Sequence, residues 1–420
     1  MTGARKQRLW PTIALTLSAC ALWAAIAGAD LFFGWTRTPL APRGDAGAFA
    51  TAAAARLNAE NQGAAVLVLI EDNQVVAMHS QSRSESVSAD TLFQVASLSK
   101  WVTAWGVLRL VDEGALDLDA PVSRYLTRWR LPESPYNDEV TIRRLLSHTA
   151  GLTDGLGYTG FAPGAELQSL EDSLTQANDV FPGVTGAVRV GARPGEKWMY
   201  SGGGYTLLQL IIEEVTGESF NAYMKRAVFA PLGMTSATYE LAGGEPLTAF
   251  YDADGEPAPH LRYTGTAAAS LYVSAADLVR FLQAQRDGGG VLRADTLAAM
   301  ARPEAYLYGA PFWGLGAMLY SPNGAGGFVI GHEGGNLPAI NTTARFDVVS
   351  GDGVIVLLTG AKSLASEIGG EWLFWKTGRA DLFTLRLQVQ PALVRVAVGW
   401  LIIVALAIGL TWRTRRRAAA

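Results

Sequence analysis

Hydropathy divides the chain into three stretches. An almost uninterrupted apolar run extends from Leu9 to Ala29, a second from Val396 to Trp412, and between them apolar and polar residues alternate at strand or helix period. Within that middle, Ala46 to Asn61 suits a helix. The β-branched runs Val66–Glu71 and Val75–His79 flank Asp72-Asn73-Gln74 and predict a hairpin. Trp101 to Glu113 carries apolar residues at helical spacing and stops at Gly114. Tyr205 to Thr216 is similarly helical and stops at Gly217. Thr141 to Phe281 mixes helices with long loops containing Gly and Pro. Strand patterns return at Trp313–Tyr320, Phe328–Gly331, Thr342–Phe346 and Val354–Leu358, followed by a helix over Ser363–Thr377. Strands at both ends of the middle enclose a largely helical stretch. This predicts an α+β fold, an antiparallel sheet built from N- and C-terminal strands, flanked by helices and carrying a helical insertion.

The end runs change the picture through their flanks. Arg5, Lys6 and Arg8 precede the first run, which has the shape of an export signal. Three fates are open for it: an uncleaved anchor, cleavage after Ala29 in Ala27-Gly28-Ala29, or lipidation at Cys20 in Leu17-Ser18-Ala19-Cys20. Arg413, Arg415, Arg416 and Arg417 follow the second run. Positive clusters mark the cytoplasmic side, so both tails are expected inside and the middle outside. The expected organisation is a signal anchor or signal peptide over 1–35, a folded domain over 46–378, a transmembrane helix over 392–412 and a basic cytoplasmic tail over 413–420. Pro39, Pro42 and Gly44 suit a linker ahead of the domain. The location this implies is a bacterial inner membrane, with the domain in the periplasm or outside the cell.

Charge and cysteine usage exclude several functions. Between Leu31 and Val394 acidic residues outnumber basic ones by about 11, a poor match for nucleic acid, so no nucleic-acid partner is expected. The one cysteine lies in the N-terminal run, which leaves the domain without a disulfide or a Cys metal site. Four histidines and no His-Glu-x-x-His pattern argue against a catalytic metal, and no cofactor is expected.

Three short motifs carry the candidate chemistry. Ser97-Leu98-Ser99-Lys100 opens the helix that runs to Glu113, so Ser97 and Lys100 lie one turn apart on one face. A serine hydroxyl needs a neighbour to take its proton, and a desolvated lysine is neutral enough to help. Tyr200-Ser201-Gly202 sits at a loop edge before a helix, where a tyrosine can relay protons. His332-Glu333-Gly334 ends a strand whose backbone can line an extended substrate and offer an N–H to an oxyanion. Each alone also has a structural reading: a capping serine with a surface lysine, a packing tyrosine, a hydrogen-bonded histidine.

Taken together and in order, these motifs resemble the class C β-lactamase-like family of serine hydrolases, which includes penicillin-binding carboxypeptidases, D-aminopeptidases and esterases. The similar stretches are Phe93-Gln94-Val95-Ala96-Ser97-Leu98-Ser99-Lys100, Asp112 to Val122, Leu145-Leu146-Ser147-His148-Thr149-Ala150-Gly151-Leu152, Pro194-Gly195-Glu196 with Tyr200-Ser201, Pro231-Leu232-Gly233-Met234 and Gly331 to Asn336. The resemblance spans roughly residues 50 to 375 and implies a β-lactamase/transpeptidase-like fold. It implies Ser97 as the acylated nucleophile, Lys100 as its partner and Tyr200 as general base or proton relay. It further implies an oxyanion hole from the N–H groups of Ser97 and Gly335, with His332, Glu333 and Gly334 at the substrate. His148 falls in a structural signature. Two positions depart from the family: Gly202 stands where an Asn often contacts the substrate amide, and His332-Glu333-Gly334 replaces Lys-Thr-Gly.

The expected activity is acyl transfer to Ser97 from an amide or ester, then hydrolysis by water. The expected partners are the membrane and a small-molecule or peptide substrate, peptide-like amides with D-configured ones among them. The oligomeric state is left open. The alternatives are a cell-wall D,D-carboxypeptidase or β-lactamase, and a catalytically inactive binding or sensor module.

Overall fold

The computed structural model describes residues 3–155, 157–383 and 385–417. Residues 1–2 of the expected anchor and 418–420 of the expected tail lie outside the described residues. The chain divides into two compact units, residues 40–372 and residues 1–39 together with 373–420.

In the larger unit ten strands form in chain order: β1 (Ala65–Glu71), β2 (Gln74–Gln81), β3 (Leu92–Gln94), β4 (Tyr272–Ser274), β5 (Ala305–Leu307), β6 (Ala310–Trp313), β7 (Met318–Pro322), β8 (Phe328–Asn336), β9 (Ile340–Asp347) and β10 (Asp352–Thr359). Eight of them make one antiparallel sheet in the order β2-β1-β10-β9-β8-β7-β6-β5, while β3 and β4 pair separately. β1 thus lies beside the last strand, joining the two ends of the domain as the hydropathy pattern implies. The β1–β2 turn falls on Asp72 and Asn73, both at positive φ, as a two-residue hairpin of this hand requires. β9 and β10 are buried along their whole length, which for β10 explains the continuous apolar run Val354–Leu358.

The helix Ser99–Asp112 runs through the core. Trp101 and Trp105 on it pack against Phe281 at ring separations of 5.0 and 5.2 Å. Fully burying each such side chain stabilises the fold by about 2 kcal/mol or more. Its neighbour Gly202–Thr216 is capped by the Ser201 hydroxyl and ends at Gly217 in the left-handed conformation.

Two expectations are corrected here. The apolar run Trp313–Tyr320 is two strands, because Gly314–Ala317 turns between β6 and β7. Gly316 in that turn has φ +81°, and a Cβ there would lie 2.4 Å from Ala104 on the buried helix. β8 also continues past Gly331, pairing His332 through Asn336 with Ala344 through Ile340 of β9.

In the smaller unit the helices Gly3–Phe33 and Leu385–Arg417 pack antiparallel. The Trp400 indole donates to the Cys20 carbonyl at 2.9 Å, and that of Trp23 to the Arg395 carbonyl at 3.1 Å. Asp30 and Arg395 pair at 2.6 Å. Trp10–Phe33 and Val389–Thr414 are long and apolar enough to cross a membrane, with mean hydropathy 1.8 and 2.5.

Candidate active site

Ser97 stands on a turn the sequence alone does not reveal. β3 runs out at Gln94, Ala96 adopts φ +47°, and a single 3₁₀ turn over Ala96–Leu98 leads into the helix that begins at Ser99. A left-handed alanine is costly, and such strain gathers where a side chain must be presented. The turn is clamped on every side. The Ser99 hydroxyl donates to the Ala96 carbonyl at 2.6 Å and accepts from the Leu271 amide at 2.9 Å. The Val95 amide donates to the Leu271 carbonyl, and the Val95 carbonyl accepts from the Thr342 hydroxyl at 3.0 Å.

Lys100, 1% exposed, reaches back from the first turn of the helix. Its Nζ lies 3.2 Å from Ser97 Oγ and 2.7 Å from the Ala268 carbonyl. Burial pushes its pKa down to about 7, against an opposing pull from the Asp154 charge. A lysine in this setting is neutral for much of the time near pH 7, which is the state able to accept a proton. Ser97 lies close enough to the Tyr200 hydroxyl to lower its pKa, and Lys100 Nζ sits 5.0 Å from the centre of the Tyr200 ring. Burial pushes the Tyr200 phenol up, only partly offset by Ser97, so it rests neutral. The structure thus brings Ser97, Lys100 and Tyr200 into one cluster.

The segment carrying Tyr200 is held by two residues. His148, at φ +57°, receives the Met199 amide on its carbonyl at 2.7 Å and the Ser201 amide on Nδ1 at 3.2 Å. Its ring lies 4.3 Å from that of Tyr200. Asp154 accepts from the Ser201 hydroxyl at 2.5 Å and from the Gly203 amide at 2.8 Å. Burial raises its pKa despite those bonds.

The residues of the third motif divide between two faces. His332 faces the cluster, its ring 5.4 Å from Trp313, which packs edge-on against both His148 and Tyr200. Its Nδ1 lies 2.6 Å from the Glu333 carbonyl. Burial pushes its pKa down to about 3, so the ring is neutral. Glu333 corrects the expectation that it lines the substrate. Strand alternation turns it to the opposite face. There Arg345 Nη2 donates to it at 2.7 Å, Thr343 at 2.7 Å and Tyr320 at 2.9 Å, and the Ser366 hydroxyl donates as well.

Gly334 is a close-approach residue: a Cβ there would lie 2.1 Å from the Val95 carbonyl oxygen. Its lack of a side chain lets β8 lie against the turn that presents Ser97 and brings Gly335 to the strand end beside it. At Gly202 a Cβ would fall 3.2 Å from Tyr158 Cε2. The Tyr158 ring, fixed by a 2.7 Å hydrogen bond to Thr206, occupies the space toward which a side chain there would point.

Sequence reasoning missed Asp154, Ala268, Tyr158 and Trp313, which have no fixed spacing from the motifs, and left His148 outside the site. Among the described residues no cluster of three or more His, Cys, Asp or Glu could hold a metal ion.

Comparison with known proteins agrees with this geometry. The family model described as Beta-lactamase matches residues 49–375. Esterase EstB of Burkholderia gladioli is 32% identical over 283 residues, covering 56% of this chain and 69% of EstB. Penicillin-binding protein 4* of Bacillus subtilis (strain 168) is 35% identical over 188 residues, 42% of this chain, but this match spans only 38% of that protein. Among solved structures, the octameric penicillin-binding protein homologue from Pyrococcus abyssi superposes with TM-score 0.62 at 23% identity, covering 80% of this chain and 78% of that one. The D-amino acid amidase from Ochrobactrum anthropi SV3, complexed with L-phenylalanine amide, gives 0.61 at 23%, covering 84% and 98%. At these identities the structural matches show a shared fold.

Proposed function

The chain belongs to the Beta-lactamase family and is a serine hydrolase of that type, and on that premise we propose that it cleaves amide or ester bonds through an acyl-enzyme on Ser97. The observation that carries this reading is the 3.2 Å approach of the buried Lys100 Nζ to Ser97 Oγ. Lys100 takes the serine proton as Oγ attacks the acyl carbon. Tyr200, close to Ser97, passes a proton to the leaving group, and the same pair then withdraws a proton from the deacylating water. The amides of Ser97 and Gly335 receive the oxyanion.

The substrate class follows from charge. A neutral His332 offers no positive charge to a carboxylate, so substrates whose leaving side is neutral, esters and peptide-like amides of either configuration, fit better than those ending in a free carboxylate. The relative named an esterase and the fold neighbour named a D-amino acid amidase are consistent with that class. Matched amide substrates with free and amidated carboxyl ends test it. The amidated one should show the higher kcat/KM, since a free carboxylate would leave water for a pocket in which His332 offers it no opposite charge. Equal rates would refute the preference.

Export and membrane anchoring are part of this proposal. The antiparallel helices of the smaller unit place the start of the first and the Arg413–Arg417 end of the second on the same side, which is what two anchors with cytoplasmic tails need.

A further inference from the structure

Two buried imidazole nitrogens have no protein partner among the described residues. Nε2 of His148 and Nε2 of His332 are both buried, and neither makes a hydrogen bond among the described residues. Both rings stand edge-on to Trp313, at 4.9 and 5.4 Å, and both feel the charge of Lys100 and the first feels the second. Leaving two buried polar atoms unsatisfied costs about 1–3 kcal/mol each.

Their hydrogen bonds fix their tautomers. His148 Nδ1 accepts from the Ser201 amide, so its proton is on Nε2, a donor. His332 Nδ1 faces the Glu333 carbonyl, which can only accept, so its proton is on Nδ1 and Nε2 carries a lone pair. One buried donor and one buried acceptor are therefore left without a bond, on two rings that both pack edge-on against Trp313. Lys100 supplies a third group. As an ammonium it has three N–H donors, and Ser97 and Ala268 take two.

We propose that His148 and His332 hold a single water molecule against Lys100, and that this water stabilises Lys100 in both of its charge states. The water accepts from His148 Nε2–H and donates to His332 Nε2. It accepts a third bond from an N–H of Lys100, as the ammonium or as the neutral amine, whose lone pair stays turned to Ser97. It remains a neutral water throughout. Three partners is the usual number for a buried water. His148 is in this account a positioning residue. The groups facing Lys100 are Ser97 on its own turn, His148, Asp154, Tyr200 and Tyr205 from the helical part and His332 from β8. Of these, the unpartnered nitrogens belong to the two histidines alone. Losing the water removes a bond to the ammonium that is stronger than the one to the amine, so Lys100 then gives up its proton at lower pH.

This inference deepens the hydrolase reading and is tested apart from it. In the full chain in detergent, with ¹⁵N-labelled histidine, the nitrogen shifts should show His148 protonated at Nε2 and His332 at Nδ1. Both should stay neutral from about pH 5 to 8, as burial requires. Reversed tautomers, or titration of either ring near its ordinary value, would overturn the proposal whether or not the enzyme turns over. The second arm is the pH dependence of kcat/KM. His148→Asn keeps an acceptor for Ser201 and tolerates positive φ but loses the Nε2 donor, whereas His148→Gln restores a donor near Nε2. The acid limb should move down by about one pH unit in the first and return in the second. A lowered rate with an unmoved limb in His148→Asn would mean that the residue only packs. If Ser97 never acylates in the wild type, the hydrolase reading fails, while the tautomer measurement still decides the water site.

Discussion

The carboxylate of Glu333 lies 2.7 Å from Arg345 Nη2, across β8 and β9, on the face of the sheet turned away from Ser97. Arg345 is fully buried, and this pair anchors a network through Tyr320, Thr343 and Ser366. Burial pushes the Glu333 pKa up, but Arg345 and the hydroxyl donors outweigh it and the net shift is downward. A carboxylate with a depressed folded pKa contributes stability above its unfolded pKa and loses it as pH falls through the folded one. Glu333→Ala should cost about 3–5 kcal/mol by stranding the arginine. Thermal unfolding at pH 7 checks this, and kcat/KM of the folded protein at a permissive temperature should stay within about threefold of wild type.

Lys100 has the opposite stability linkage. Its folded pKa of about 7 lies below the ordinary 10.5. Between these values the unfolded chain binds more protons than the folded one, so stability rises with pH across that window. The full penalty of charging the buried amine remains below pH 7. Lys100→Met should stabilise the fold by a few kcal/mol at pH 6, with little effect near pH 10.5. Denaturant titration at the two pH values reads this difference. The same substitution should lower kcat by about 10²–10⁴, and wild-type kcat/KM should rise with pH through an apparent pKa near 7.

Restoring a side chain at Gly202 should fail to restore the family's usual contact. Tyr158 occupies the space and is fixed to Thr206. Gly202→Asn should destabilise the domain by about 1–3 kcal/mol through overpacking and lower activity instead of raising it. Differential scanning calorimetry with a parallel ester assay decides this. A gain in kcat/KM on amides would contradict it.

Topology is tested by reporters fused after Ala420 and inserted in the linker at Gly44. The proposed arrangement predicts a cytoplasmically active reporter at the C-terminus and a periplasmically active one at Gly44. A periplasmic C-terminus would remove the second anchor from the account.

Periodicity was enough to place the sheet ends and the two long helices, because each buries one continuous apolar face. Ser97 and Lys100 were legible as a candidate pair because they lie one turn apart, whereas Tyr200, far along the chain, was legible only through the order of the motifs. Glu333 was misplaced because a strand motif says nothing of which face meets the cleft. The pairing of β8 with β9, and Arg345 behind them, decide it. His148 looked structural for a sound reason: its carbonyl and Nδ1 do hold the Tyr200 segment. What no spacing could show is that its remaining nitrogen is left buried and unpartnered, as is that of His332 on a strand 184 residues later. Asp154 sits on a loop and Ala268 on the short helix Thr266–Ala269, and the course of both is set by tertiary packing.

The central claim is that Ser97, activated by Lys100, forms the acyl-enzyme. It is tested most directly by intact mass of the purified chain after exposure to a fluorophosphonate, in wild type, Ser97→Ala and Lys100→Met. A single adduct mapping to Ser97 in the wild type, absent in Ser97→Ala and slowed at least a hundredfold in Lys100→Met, is the predicted result. An adduct retained in folded Ser97→Ala, or none in the wild type, would contradict it.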